Sequence, residues 1–109
     1  MPRLTASFWV QAYLRRLDLA NIPAFVVRKG DETAGAVLIK SNPLDGQSTI
    51  FHRVYGNDGA RMWQVLESGT ESDIDVTIAR QAGFDPDLWV IEVEDREGRT
   101  LLDEDGLFG

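Results

Sequence analysis

No cysteine occurs in the chain, and that one absence removes disulfides, thiolate metal sites and cysteine nucleophiles together. Histidine is nearly as scarce. His52 stands alone, so any imidazole acid–base step, triad or imidazole–metal bond has to run through it. No run of about 20 apolar residues is present to cross a bilayer. Arg15 and Arg16 interrupt the first amphipathic stretch, where a secretory signal would stay apolar. The chain is therefore expected to be cytoplasmic, of a bacterial kind and without a membrane partner. Glycine-rich phosphate cradles are missing too. The only strand-to-helix junction holding a glycine is Glu67-Ser68-Gly69-Thr70-Glu71, whose carboxylates suit a plain capped turn better than an anion site. There is no internal repeat and no low-complexity segment.

What is present is an ordinary globular composition, 43% hydrophobic and 27% charged over 109 residues. It is enough for one domain with a real core, residues 1–109, with 103–109 expected as a loosely held acidic tail. The net charge of -7 is unevenly spread. Residues 1–66 carry eight basic and five acidic side chains (+3), whereas residues 67–109 carry three basic and thirteen acidic (-10). The total disfavours bulk nucleic-acid binding but leaves room for a local basic face.

The centre of the chain holds three short runs rich in β-branched and aromatic residues: 36–39, 49–55 and 62–66. Pro43 and Asp45-Gly46 separate the first two; Gly56-Asn57-Asp58-Gly59 separates the second two and suits a tight hairpin. Before them, Ala6, Val10, Tyr13, Leu17 and Ala20 recur at helical spacing, with Thr5 or Ser7 as N-cap and Pro23 as the stop. Residues 24–29 read as the first strand, joined by the short loop 30–35 as a hairpin into Ala36. After them, Ser68-Gly69 breaks the pattern, and a capped helix is expected from Glu71 to Ala82 with Gly83 beyond its end. Leu88–Glu94 alternates as a strand, Asp95–Arg99 turns, and 100–102 suits a short edge strand. The expectation is an α+β fold of order α-β-β-β-β-α-β: an antiparallel sheet of about five strands with two helices packed on one face.

The run Phe84-Asp85-Pro86-Asp87-Leu88-Trp89-Val90-Ile91-Glu92-Val93-Glu94-Asp95-Arg96-Glu97-Gly98-Arg99, with Asn57-Asp58-Gly59-Ala60-Arg61 and the aromatic first helix, resembles a family of short alphaproteobacterial proteins, domain-of-unknown-function family 1491. The resemblance spans nearly the whole chain. It implies a small stand-alone protein and carries no activity or site residue with it.

Four functional candidates remain. Ser48 lies four residues before His52 among abundant carboxylates, but no strained Gly-x-Ser-x-Gly turn accompanies them, so a hydrolase centred on His52 is a distant option. Asp103-Glu104-Asp105-Gly106 lacks the distal glutamate of a calcium loop. Glu92 and Glu94, with Asp95 and Glu97 nearby, read as a wet strand face rather than a cation site. The least ordinary feature is the alternation that puts Phe51, Arg53 and Tyr55 on one side of their strand and Arg61, Trp63 and Val65 on one side of the next, with Lys40 and Arg28 closing theirs. If the sides coincide, Arg53, Tyr55, Arg61 and Trp63 form a basic, aromatic binding face. The plainer alternative, favoured by the usual fate of strand aromatics, puts the rings in the core with the arginines snorkelling outward. No catalytic set, cofactor or metal is called for. The expected role is a non-enzymatic protein-interaction module, its partner another protein or a second copy of the chain; nucleic-acid or nucleotide binding is the alternative.

Overall fold

A computed structural model of the protein describes residues 4–56 and 61–103. Its elements follow as α1 (Ala6–Leu19), β1 (Ala24–Arg28), β2 (Val37–Asn42), β3 (Gln47–Tyr55), β4 (Arg61–Thr70), α2 (Glu71–Phe84) and β5 (Trp89–Glu94), the order expected. Helix α1 begins where the Thr5 hydroxyl accepts from the Phe8 amide. It ends in a Schellman turn: Asn21 takes φ +60°, Asn21 N–H donates to Asp18 C=O, and Ile22 N–H donates to Leu17 C=O. Helix α2 starts the same way, Thr70 accepting from the Asp73 amide. It runs through Gly83 and stops at Asp85, whose amide still reaches Gln81. Ser68-Gly69 does not break β4, which runs straight into α2.

The sheet order is β1-β5-β2-β3-β4. β5 lies antiparallel to β1 and parallel to β2, and the β2, β3 and β4 neighbours are antiparallel. The sheet is thus mixed, though mostly antiparallel. The hairpin expected across 30–35 does not form, because the last strand inserts between β1 and β2. The loop crosses the start of β5 instead. Asp31 N–H donates to Asp87 C=O, and Trp89 Nε1 donates to Asp31 C=O at 2.7 Å. A side chain at Gly30 or Gly35 would collide with the Asp87 carbonyl and the Trp89 ring, so the close crossing needs glycine at both positions.

The two helices cover opposite faces, not one. Adjacent strand residues point to opposite sides, and Val37, Ile39, Trp89, Ile91 and Val93 pack with Trp9, Tyr13 and Leu17 of α1. Leu38, Leu88 and Val90 pack with Ile78 and Ala82 of α2. β5 carries apolar residues to both sides and so needs both helices. The segment expected as an edge strand, 100–102, is irregular: Leu102 is buried against the α1 core and the Thr100 carbonyl accepts from the buried Tyr13 hydroxyl at 2.8 Å. The hairpin expected at 56–59 and the tail expected at 103–109 cannot be placed, since residues 57–60 and 104–109 lie outside the described residues.

Lys40 is the chief polar element beneath α2. Only 3% exposed, its ammonium lies 3.0 Å from Glu71 Oε1, 2.8 Å from Asp75 Oδ1 and 3.4 Å from Glu92 Oε1. Asn42 donates to Glu92 and more weakly to Glu71, at 3.0 and 3.4 Å. Glu71 and Asp75 occupy the first turns of α2, where the helix dipole favours negative charge. Burial opposes the Lys40 charge, but the hydrogen bonds to Asp75 and Glu71 and the charge of Glu92 outweigh it, so the ammonium is held above its ordinary range. Lys40 thus does not join the basic face as its place in the sequence suggested.

Removing a buried charge from among its partners is costly. Lys40→Met is expected to lower unfolding free energy by about 3 kcal/mol in a urea titration. Because the folded protein holds this proton more tightly than the unfolded chain, the Lys40 contribution is full below the ordinary value of 10.5 and is lost as pH rises through the higher folded value. Wild-type stability should therefore fall more steeply than that of Lys40→Met as pH rises above 10.5.

Candidate ligand cleft

β2 pairs with β5 along its whole length, from Val37 to Asn42. Its ladder with β3 covers only Ile39↔Phe51, Lys40↔Ile50 and Ser41↔Thr49. β3 nevertheless continues to Tyr55, held by β4. Past Ile39 the two strands part, and a cleft of about 890 Å³ occupies the wedge, with Val37 and Leu38 on one wall and His52 to Tyr55 on the other. It reaches both sides of the sheet. Trp9, Arg53 and Arg61 line it on the α1 side; Leu66, Gln81 and Leu88 line it on the α2 side. A volume of this size is ordinary for a small-ligand site.

The register of β3 and β4 sets Arg53 opposite Trp63, and Tyr55 opposite Arg61. All four residues singled out from the sequence therefore meet on one side. They are neither an open platform nor plain core. Phe51 and Trp63 are half-buried against the α1 cluster, whereas Tyr55 is 62% exposed. Arg53 sits against two indoles that touch each other, its guanidinium carbon 4.9 Å from the Trp9 ring centre and 4.9 Å from that of Trp63, with the two ring centres 5.3 Å apart. Trp9 also stacks on Tyr13 at 4.9 Å. Arg61 covers the Tyr55 ring at 5.7 Å. Burial, then the charge of Arg61, pull the Arg53 guanidinium down to about 10, so it remains cationic at neutral pH at a desolvation cost. Among the described residues no carboxylate pairs with Arg53, and the buried Trp9 Nε1–H finds no acceptor.

The other candidates disperse. Four residues along a strand, at about 3.3 Å each, put Ser48 about 13 Å from His52; His52 lines the cleft opposite Gln64, and no serine or carboxylate among the described residues bonds to its ring, although Asp85 also lines the cleft. Glu92 is committed to Lys40 and Asn42, and Asp95 to Arg99, whose guanidinium holds the carboxyl below its usual range. Arg28 binds the Leu88 and Pro86 carbonyls. Among the described residues no group of three or more histidine or carboxylate side chains is arranged to hold a metal, and no helix is long and apolar enough to cross a membrane. Nothing in the sequence placed Trp9 beside Arg53, a contact that exists because Trp9, on the helix packed over β2 and β5, reaches as far as Arg53 and Trp63.

The family model described as "Protein of unknown function (DUF1491)" matches residues 4–103. The chain is similar to a DUF1491 family protein from Caulobacter crescentus CB15, whose crystal structure shares 43% identity at a TM-score of 0.85, covering 94% of this chain and 97% of that one. An NMR structure of a DUF1491 family protein from the same organism matches at 42% identity and TM-score 0.81, over 95% and 96%. Protein Atu0922 from A. tumefaciens matches in solution structure at 30% identity and TM-score 0.76, over 93% of each chain. No curated protein matches.

The cost of keeping Arg53 charged has a measurable consequence. Arg53→Met keeps an unbranched stem against Trp9 and Trp63 and removes the charge. In a urea titration it is expected to leave stability unchanged or raise it by about 1 kcal/mol, the opposite of Lys40→Met.

Proposed function

The chain belongs to the DUF1491 family, and from that premise we propose that it is a non-enzymatic binding module whose ligand site is the cleft between β2 and β3. Arg53 and Arg61 receive a negatively charged group, and the walls around Val37, Leu38 and Leu88 receive the apolar body attached to it. The observation that carries this is the contrast between two half-hidden or hidden cations. Lys40 is met by three carboxylates. Arg53, on the cleft wall against the indoles of Trp9 and Trp63, is met by none among the described residues, so its charge stays available to an incoming anion. Two arginines beside a cleft do not form the stripe that tracks a phosphate backbone, and the chain's charge of -7 opposes one, so a discrete ligand is favoured over nucleic acid. We place this role in the cytoplasm, with a protein as the natural partner.

Trp9 and Trp63 both contact the guanidinium and report on it. Titration with decanoate, inorganic phosphate and short acidic peptides, followed by tryptophan emission and calorimetry, is expected to give saturable binding of at least one of them. Arg53→Met should weaken that binding about tenfold, the value of one charge-assisted hydrogen bond. Absence of any saturable change, or equal affinity in the variant, would remove the proposal.

A further inference from the structure

Strand β1 is one edge of the sheet, and we propose that a second copy of the chain pairs with it. The two β1 strands meet antiparallel across a twofold axis, Ala24 opposite the second copy's Val26 and Phe25 opposite its own counterpart. This surface shares no residue with the cleft and does not depend on it.

The backbone fixes which groups are on offer. The Glu94 amide donates to the Pro23 carbonyl, and this bond continues the register that sets Ala24 against Val93 and Phe25 against Glu92. Backbone groups alternate sides along an antiparallel strand. Pro23 and Phe25 therefore turn theirs to β5, while Ala24 and Val26 turn theirs to the open edge, where among the described residues no strand or loop backbone bonds to them. A second copy with its Val26 opposite Ala24 satisfies all of these groups, each residue giving an amide and receiving one. The neighbouring symmetric registers do worse. Ala24 against Ala24 would bring Val26 to Ile22, whose amide is spent on the Leu17 carbonyl. Val26 against Val26 would bring Ala24 to Arg28, past the irregularity that ends the regular ladder.

Side chains and charge agree with that register. Phe25, Val26 and Val27 are 53%, 42% and 57% exposed, an apolar row on an edge that sheets ordinarily cover or break with charge. Phe25 faces its counterpart at a non-hydrogen-bonded position, where opposed side chains come closest and aromatic pairs are favoured. On the other face Val26, whose partner on β5 is the buried Ile91, meets the second copy's Ala24, so the core under α1 continues across the axis. Residues 24–28 hold no carboxylate although the chain carries -7, so two copies approach here without opposing acids on the paired strands. Arg28 and Lys29 stand at one end of the strand, and antiparallel pairing sends them to opposite ends of the joint. One short strand on another covers less than the about 1,200 Å² of lasting interfaces, so the dimer is reversible.

Sedimentation of the wild type from about 5 μM to about 1 mM is expected to pass from monomer to dimer. Over that range hydrogen exchange of the Ala24 and Val26 amides, read by NMR, should slow about threefold or more, and that of the Phe25 amide, already turned to β5, should change least. Val26→Pro removes an outward donor and leaves the bonds between β1 and β5 in place. Phe25→Lys sets two ammonium groups across the axis. Each variant should stay monomeric at the upper concentration with wild-type tryptophan emission, whereas Arg53→Met, altered only at the cleft, should dimerise as the wild type does. A wild type that remains monomeric throughout, a dimer that survives in either β1 variant, or a dimer whose Ala24 and Val26 amides are not slowed would overturn the proposal. So would an edge that takes up a different protein and never a second copy.

Discussion

Strand β5 sets the terms for the rest of the molecule. Trp89, Ile91 and Val93 point to one side and Leu88 and Val90 to the other, all buried, so neither face of this strand can be left to water. A central position with a helix on each side is the arrangement that satisfies it. Once β5 occupies the place beside β2, β1 is displaced outward, the 30–35 loop must cross over the strand's start, and both Gly30 and Gly35 are committed to that crossing. The parallel pairing with β5 also fixes β2 along its whole length, while β3 follows the twist of its hairpin with β4. The wedge is where those two demands diverge.

The molecule handles two cations in opposite ways. Lys40 is built into the structure: its charge is matched by carboxylates drawn from α2 and β5, and it ties the helix to two strands. Arg53 is held by ring faces that attract a cation without neutralising it. Aromatic faces fix the guanidinium in place and shield it from water, leaving its in-plane donors as the unspent part of the residue. A charge treated in this way costs folding stability and prepares an encounter.

Much of the architecture was legible in the sequence because it depends on local chemistry. Thr5 and Thr70 as caps, Pro23 as a stop, Asp45-Gly46 as a turn and the alternation of β3 and β5 all act within a few residues. Strand order did not follow, since short connections suggest sequential hairpins and nothing in residues 30–35 announces that a strand some 55 positions later will come between their ends. The one-face placement of the helices failed for a related reason. Apolar residues on both sides of β2 and β5 look, in sequence, like strands of a uniform core, and only the neighbours decide which side each helix takes. At the site, alternation alone aligned Arg53, Tyr55, Arg61 and Trp63, because the register across β3 and β4 matched it. Trp9 and the wedge were not legible: the first comes from a helix more than 40 residues away, and the second from a ladder that stops early.

The position of β5 also bears on how the domain is made. Strands β1 and β2 leave the ribosome long before the strand that joins them, so for most of synthesis each presents a bare edge, and β1 presents Phe25, Val26 and Val27 as well. A chain that has emerged only as far as α2 lacks the one strand that joins β1 to β2. The five-stranded sheet is complete only once β5 lies between β1 and β2. Stalled or truncated products would therefore be sticky rather than partly functional, and the burden of keeping them apart falls on the cell's chaperones.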